Sequence, residues 1–437
     1  MADKKVEKIL LLNVHSAMNV GDDALLRSAL RQLRVNFPES NITLSVNDPA
    51  SYTGAERGLA SIHAWVHPID DGGRASWKFG RLLWLLPASL IPVLSQRWFK
   101  RPFFWLTPGE LRPILEEYLA ADLVAGTPGG YLYSSGSGLS LWTVMYSIML
   151  AVRAGKPGYL LPQSIAPVRH KWEVCTLRRL LNQVRMVMAR EPVSYQLVQS
   201  YRVRNPRVYL VPDMAFALPA APDEEAEAWL RDQGINPEDG KPCLGITIIN
   251  WAGQNKRFQR QGVYEQACAA AARWFVETTG GRVIIFPQVY GPTQNQDDRI
   301  PAQRVTAQLA NLGGAIYNVV QPLAMELLKA VYGKMDVFIG TRMHSNIFAL
   351  SEGVPVIAIG YQHKTRGIAG MVGLADWVLD IQAVEEQILV ERLAALWEQR
   401  VSLGEQVRQR VAEIIRQSEQ ACVMVRQDYS TLNQRGE

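Results

Sequence analysis

Residues 340–350 read GTRMHSNIFAL. Ahead of them lies the apolar run DVFIG at 336–340, and beyond a helical stretch comes a second run, PVIAIG, at 355–360. Two short apolar runs joined through a helix form the unit from which parallel sheets are built. Both runs are continuous rather than alternating, as expected of strands covered on both faces by helices. Thr341, Arg342 and His344 then stand where a parallel strand ends and a helix begins. Open α/β sheets bind ligands at that edge.

The same pattern recurs along the chain. Strands are expected at KILLLNV, ITLSV, DLVAG, GYLLP, MVMAR and VYLV in the first half, and at CLGITII, RVIIF, AIYNV, DVFIG, PVIAIG and DWVLD in the second. Leu26, Leu30, Leu33 and Phe37 share one face of the first helix. Six strands in each half give an α/β protein of two Rossmann-like domains facing one another across a cleft. The expected boundaries are 1–218 for the first domain, 219–242 for a linker rich in Pro, Asp and Glu, 243–384 for the second domain and 385–437 for terminal helices.

A length of 437 residues suits two domains. The net charge of +5 permits anionic ligands but lacks the basic clustering of a nucleic-acid binder. Cys175, Cys243, Cys268 and Cys422 show no metal-ligand or CxxC spacing, which fits reduced thiols in a cytoplasmic protein. No metal is expected. The N-terminal lysines lead straight into the first strand without a signal-peptide cleavage pattern.

One segment departs from the rest. Residues 77–106 hold an apolar centre of about thirteen residues, short of the roughly 20 that span a bilayer. Lys78, Arg81, Arg97, Lys100 and Arg101 flank it, with Trp77, Trp84, Trp98 and Trp105 near its edges. Such flanks suit peripheral contact with a membrane surface. A helical hairpin packed on its own domain, or a lid, is the plainer alternative, and Pro87 and Pro92 argue against one clean amphipathic helix.

Polar residues just after strands are the candidates for chemistry. NVHSAMNVGDDALL places Asn19, Gly21 and Asp22 at a helix start, where Asp22 either caps the helix or faces an acceptor hydroxyl. GTPGGYLYSSGSG, residues 126–138, includes Gly129 and Gly130, whose backbone lets a ligand approach closely. Gln163 and Ser164, Arg190 with Glu191, and Asp213 follow later strands. At 340–350 a helix N-terminus and Arg342 favour an anion, and His344 is suited to proton transfer. Tyr361, His363, Lys364 and Arg366 come from the neighbouring loop. The plainer reading pairs Arg342 with Asp336 or Glu352 and leaves His344 in the core.

The runs NVGDDAL, Gly129–Gly130, PQSIAP, ARE followed by Ser194, PDMAF and TRMHSNIFALSEGVPVIAIGYQHK resemble, in order, the polysaccharide pyruvyl transferase family. They cover most of residues 8–370. The resemblance implies a two-domain fold similar to B-type glycosyltransferases, with the first domain binding the acceptor and the second the donor. It implies transfer of the pyruvyl group of phosphoenolpyruvate to a sugar or lipid-linked saccharide as a ketal, with phosphate released and no cofactor. Carried onto this chain, His344 is the proton donor, Arg342, Arg190 and Lys364 hold the donor, and Asp22 serves as base or acceptor ligand. Asn19, Gly129, Gly130, Gln163 and Ser164 line the substrate. Tyr131 stands where family members often carry a third glycine, which suggests a different acceptor. A lipid-linked acceptor would place the protein peripherally at the inner membrane surface. Two rivals remain at this point: a B-type glycosyltransferase with a nucleotide-sugar donor, and a non-catalytic carbohydrate-binding partner.

Overall fold

In a computed structural model of the chain, the described residues are 5–68, 75–134, 139–291, 293–361 and 363–435. They form two compact units. Unit 1 comprises residues 1–17, 25–214 and 417–437, and unit 2 comprises residues 18–24 and 215–416.

Unit 1 holds strands β1 (Lys8–Val14), β2 (Asn41–Val46), β3 (Arg57–Ala60), β4 (Leu123–Gly126), β5 (Gly129–Leu132), β6 (Gly158–Ile165), β7 (Met186–Ala189) and β8 (Val208–Leu210). They pair in the order β3-β2-β1-β4-β6-β7-β8, with β5 added on β6, all parallel. Eight strands stand, among the described residues, where six were expected. β3 is an edge strand with its side chains largely exposed, so it needs no apolar run. β5 begins with Gly129 and Gly130, expected in a loop but here at the start of a strand; Gly136 and Gly138 of that stretch lie outside the described residues.

Unit 2 holds β9 (Cys243–Thr247), β10 (Arg282–Ile285), β11 (Ile316–Asn318), β12 (Val337–Gly340), β13 (Val356–Gly360) and β14 (Val378–Asp380). Their order, β11-β10-β9-β12-β13-β14, is the doubly wound one, and all pairs are parallel. The expected strand runs at 243–380 all form. Leu244, Ile246, Val337, Ile339, Ile357 and Ile359 are fully buried in one apolar cluster, which is why these strands read as unbroken apolar runs. Residues 219–242 carry the helix Asp223–Asp232, which belongs to unit 2 and is tied to Lys334 through Asp223 and Glu227.

The segment 77–106 differs from expectation. Ala75–Phe99 is one continuous helix that runs through Pro87 and Pro92. Pro92 has no N–H for the carbonyl of Ala88, and Thr107 Oγ1 donates to that oxygen instead at 2.7 Å. Leu85 and Val93 enter the core of unit 1, and Ser89 Oγ bonds Tyr146 Oη at 2.6 Å. By length and composition, Lys78–Phe99 is the one helix among the described residues apolar enough to cross a membrane, and 33 % of its most apolar window is buried.

After the helix Glu386–Ser418, the last helix, Ala421–Arg435, belongs to unit 1. Asp428 there receives hydrogen bonds from Tyr159 Oη (3.0 Å) and Arg185 Nε (2.8 Å) and pairs with Arg207 (2.9 Å). Gln32 bonds both Ser418 O and Cys422 N.

Candidate active site

The order of unit 2 reverses between β9 and β12, so the crevice of this sheet lies beyond Thr247 and Gly340. The backbone N–H of Thr341 donates to Thr247 Oγ1 (3.0 Å), Thr247 Oγ1 meets Ser345 Oγ (2.9 Å), and Ser345 Oγ donates to Arg342 O (2.6 Å). Tyr264 Oη reaches Thr341 Oγ1 at 2.7 Å. These bonds fix the turn that opens the helix Met343–Ser351, with Arg342 as its extended N-cap residue. Gly340 leaves room there: a Cβ would overlap the Asn346 side chain.

Arg342 is paired with neither Asp336 nor Glu352. It makes a two-pronged ion pair with Asp298, Nε to Oδ2 at 3.0 Å and Nη2 to Oδ1 at 2.6 Å. Asp298 is fully buried and also accepts the backbone N–H groups of Gln288 (3.3 Å) and Val289 (3.1 Å). Burial pushes the Asp298 carboxyl above its usual range, while Arg342 and the two N–H groups act the other way. Burial also opposes the charge on Arg342, but Asp298 and a hydrogen bond to Tyr361 outweigh it and hold the guanidinium protonated. Tyr361 packs on Trp251 with ring centroids 4.3 Å apart. Nothing in the sequence marks Asp298 for this role; in QDDRI it looks like an ordinary helix-start acid.

Residues 18–24, expected with the first domain, are grouped with unit 2. Asn19 bridges Val289, Val20 N donates to Gln288 O (3.1 Å), and Tyr290 N donates to Met18 O (3.2 Å). The loop that carries Asp298 is therefore the loop that holds Asn19, Gly21 and Asp22. Asn19 Oδ1 accepts the N–H of Gly21 (3.1 Å), and its Nδ2 donates to Asp22 Oδ2 (2.8 Å). Gly21 lies against His344, and a Cβ on it would overlap the imidazole at Nδ1, Cγ and Cε1. Any side chain at 21 would displace that ring. His344 and Asp22 are both half-buried. Lys364 is half-buried in the first turn of the helix His363–Met371, and Arg366 is exposed; the His363 side chain lies outside the described residues.

The candidates in unit 1 are buried and bonded within the protein. Arg190, 1 % exposed, pairs with the fully buried Asp213 at 2.7 Å, and its Nε donates to Ser164 Oγ at 2.6 Å. Gln163 Nε2 donates to Thr127 O and to Tyr131 Oη (2.9 Å). Gly129 pairs with Gln163 in the β5–β6 register. These residues tie the carboxyl ends of β4, β6 and β7 to one another and to the start of β5. Among the described residues no cluster of three or more His, Cys, Asp or Glu could hold a metal ion.

The fold is that of two parallel-sheet α/β domains shared with the B-type glycosyltransferases and sugar-nucleotide epimerases. The UDP-GlcNAc 2-epimerase of Neisseria meningitidis is similar over 95 % of this chain and 98 % of its own, with a TM-score of 0.58 at 10 % identity. The sucrose-phosphate synthase of Thermosynechococcus elongatus is similar over 97 % of this chain and 100 % of its own, with a TM-score of 0.57 at 14 % identity. Residues 19–363 match the family described as polysaccharide pyruvyl transferase, and the chain belongs to that family. It is 23 % identical to the amylovoran biosynthesis protein AmsJ of Erwinia amylovora, over 94 % of this chain and 96 % of that one.

Proposed function

We propose that the protein transfers the pyruvyl group of phosphoenolpyruvate to two hydroxyls of one sugar in a polysaccharide or lipid-linked saccharide. The observation that carries this reading is the placement of His344, in a member of this family, at the start of a helix beside Arg342 and against Gly21. Phosphoenolpyruvate carries a phosphate and a carboxylate, which suit a helix N-terminus, a guanidinium and Lys364. The Asp298 pair makes Arg342 a fixed array of N–H donors rather than a free positive charge. The helix terminus then supplies attraction for the anion, with Lys364 as a further donor.

In the proposed sequence His344 gives a proton to C3, turning the methylene into a methyl group and leaving C2 electron-poor. One sugar hydroxyl attacks C2 and loses its proton to Asp22. The C2–O bond to phosphate then breaks, the second hydroxyl closes the ketal, and phosphate leaves with a proton. Asp22 passes the first hydroxyl proton to the departing phosphate, and the proton of the second hydroxyl restores His344, so both residues return to their starting states. Arg190, Gln163, Ser164 and Gly129 hold strand ends within unit 1.

The test is phosphate release from phosphoenolpyruvate by the full chain with a panel of free and lipid-linked saccharides, with product masses measured in parallel. His344→Ala lowers turnover by about 10²–10⁴-fold while the circular dichroism stays native. UDP release from UDP-sugars without phosphate release would assign the site to glycosyl transfer instead, and near-normal turnover by His344→Ala would remove it as the acid.

A further inference from the structure

One face of unit 1 is apolar, aromatic and positively charged. The buried side of the helix Ala75–Phe99 is fixed in the core through Leu85, Ser89 and Val93, so the helix lies along the unit. Its other side exposes Phe79 (61 %), Leu83 (58 %) and Leu86 (39 %) at helical spacing, with Trp84 (44 %) exposed on the flank. Trp98 (68 %) and Phe99 (63 %) follow at its end, and Phe103 (42 %) and Trp105 (74 %) lie just beyond. A monomer seldom leaves so many large apolar side chains together in water without a partner.

Leu86 and Leu90 of this helix also line a groove of about 280 Å³. Its other walls are Trp142, Tyr146 and Met149 from the helix Leu139–Arg153, and it is rimmed by Arg153 and Arg179. Arg97, Lys100, Arg101, Arg153 and Arg179 are all exposed. Among the described residues none of the five forms an ion pair with an acid. The sequence holds no Asp or Glu between Asp71 and Glu110, nor between Asp122 and Glu173. The face thus carries one sign of charge.

We propose that this face docks on an anionic membrane surface. The exposed aromatic and leucine side chains enter the boundary between headgroups and acyl chains, and the groove takes part of one lipid chain. Arg97, Lys100, Arg101, Arg153 and Arg179 meet lipid phosphates. A helix with one side locked in a folded core does not cross the bilayer; it lies in the interface. A second copy of the chain is a poor occupant, because a two-fold contact would set these unpaired cations against themselves.

The test is flotation of the full chain with vesicles of phosphatidylcholine alone or mixed with phosphatidylglycerol, with sedimentation velocity in parallel. Vesicle binding is read without any transfer reaction, so the result stands apart from the proposed activity. The expected result is binding to the mixed vesicles, weak binding to phosphatidylcholine alone, and loss of binding at high salt. Arg153→Ala and Arg179→Ala each lower the partition about fivefold. Trp84→Ser with Trp98→Ser and Trp105→Ser lowers it by roughly tenfold or more. All five positions are exposed or nearly so, and native circular dichroism of each variant confirms that the fold is kept. A wild type that stays unbound with mixed vesicles overturns the proposal. So does equal binding to neutral ones, binding unaltered by either variant set, or a dimer that the tryptophan variant converts to monomer.

Discussion

Gly21 was legible in the sequence only as part of a turn; its reason lies in a contact the chain order hides. Because a Cβ at 21 would overlap the His344 ring, Gly21→Ala moves the imidazole without touching its chemistry. Turnover is expected to fall about 10²-fold, the scale of a small misplacement. Gly21→Ala combined with His344→Ala should be no slower than His344→Ala alone. Independent, multiplying losses in that double variant would mean that Gly21 acts elsewhere. Arg342 teaches a related point. Its position after a parallel strand was readable, but the Asp298 that neutralises it stands 44 residues earlier, and spacing cannot announce a partner at that distance. Asp298→Ala leaves Arg342 charged, largely buried and unmatched, at a cost of about 3–5 kcal/mol, measurable as a drop in the urea midpoint.

At the scale of elements, the strands were legible wherever burial on both faces produced an unbroken apolar run. β3 and β5 escaped because one is an exposed edge strand and the other starts with two glycines. The polar residues at strand ends in unit 1 were located but not their partners. Arg190 and Asp213 are 1 % and 0 % exposed and bond across the ends of neighbouring segments. Asp213→Ala should therefore destabilise unit 1 by about 3–5 kcal/mol, and a loss under a fifth of that in equilibrium unfolding would show the pair to be dispensable. His63 gives the same unit a dependence on acid. Its Nδ1 lies 2.8 Å from Thr143 Oγ1. Burial, with His67 and His15 nearby, pushes its pKa down to about 3 from 6.5. The unfolded chain therefore binds a proton at His63 below pH about 6.5 that the folded one refuses until pH about 3. Stability from this group is complete above 6.5 and declines as the pH falls through that window. His63→Gln should flatten the slope of unfolding free energy against pH between those limits by one proton; an unaltered slope would assign it to other groups.

Taken whole, the chain showed its doubly wound architecture in twelve apolar runs and a helical tail able to cross back onto the first domain, but it hid that residues 18–24 leave that domain for the second. Residues 18–24 group with unit 2 and residues 417–437 with unit 1. Single buried bonds such as Gln32 to Ser418, or Tyr159 to Asp428, decide this rather than any periodicity. Truncation after Arg416 removes Asp428 and leaves Arg185 and Arg207 without their acid. Hydrogen exchange should then show β6 and β7 losing protection while β9 to β14 keep theirs, and unchanged exchange in β6 would show the last helix to be an ornament.

The return of that helix also sets a clock. The helix Ala421–Arg435 leaves the ribosome only after all of Ala215–Arg416, yet its place is in the unit made first. Between the two, the ribosome must translate Ala215–Arg416, which at roughly 5–20 residues per second lasts on the order of 10–40 s. For that interval the nascent unit 1 presents the seat of this helix uncovered, and a chaperone that shields it would be needed only until Ala421–Arg435 emerges.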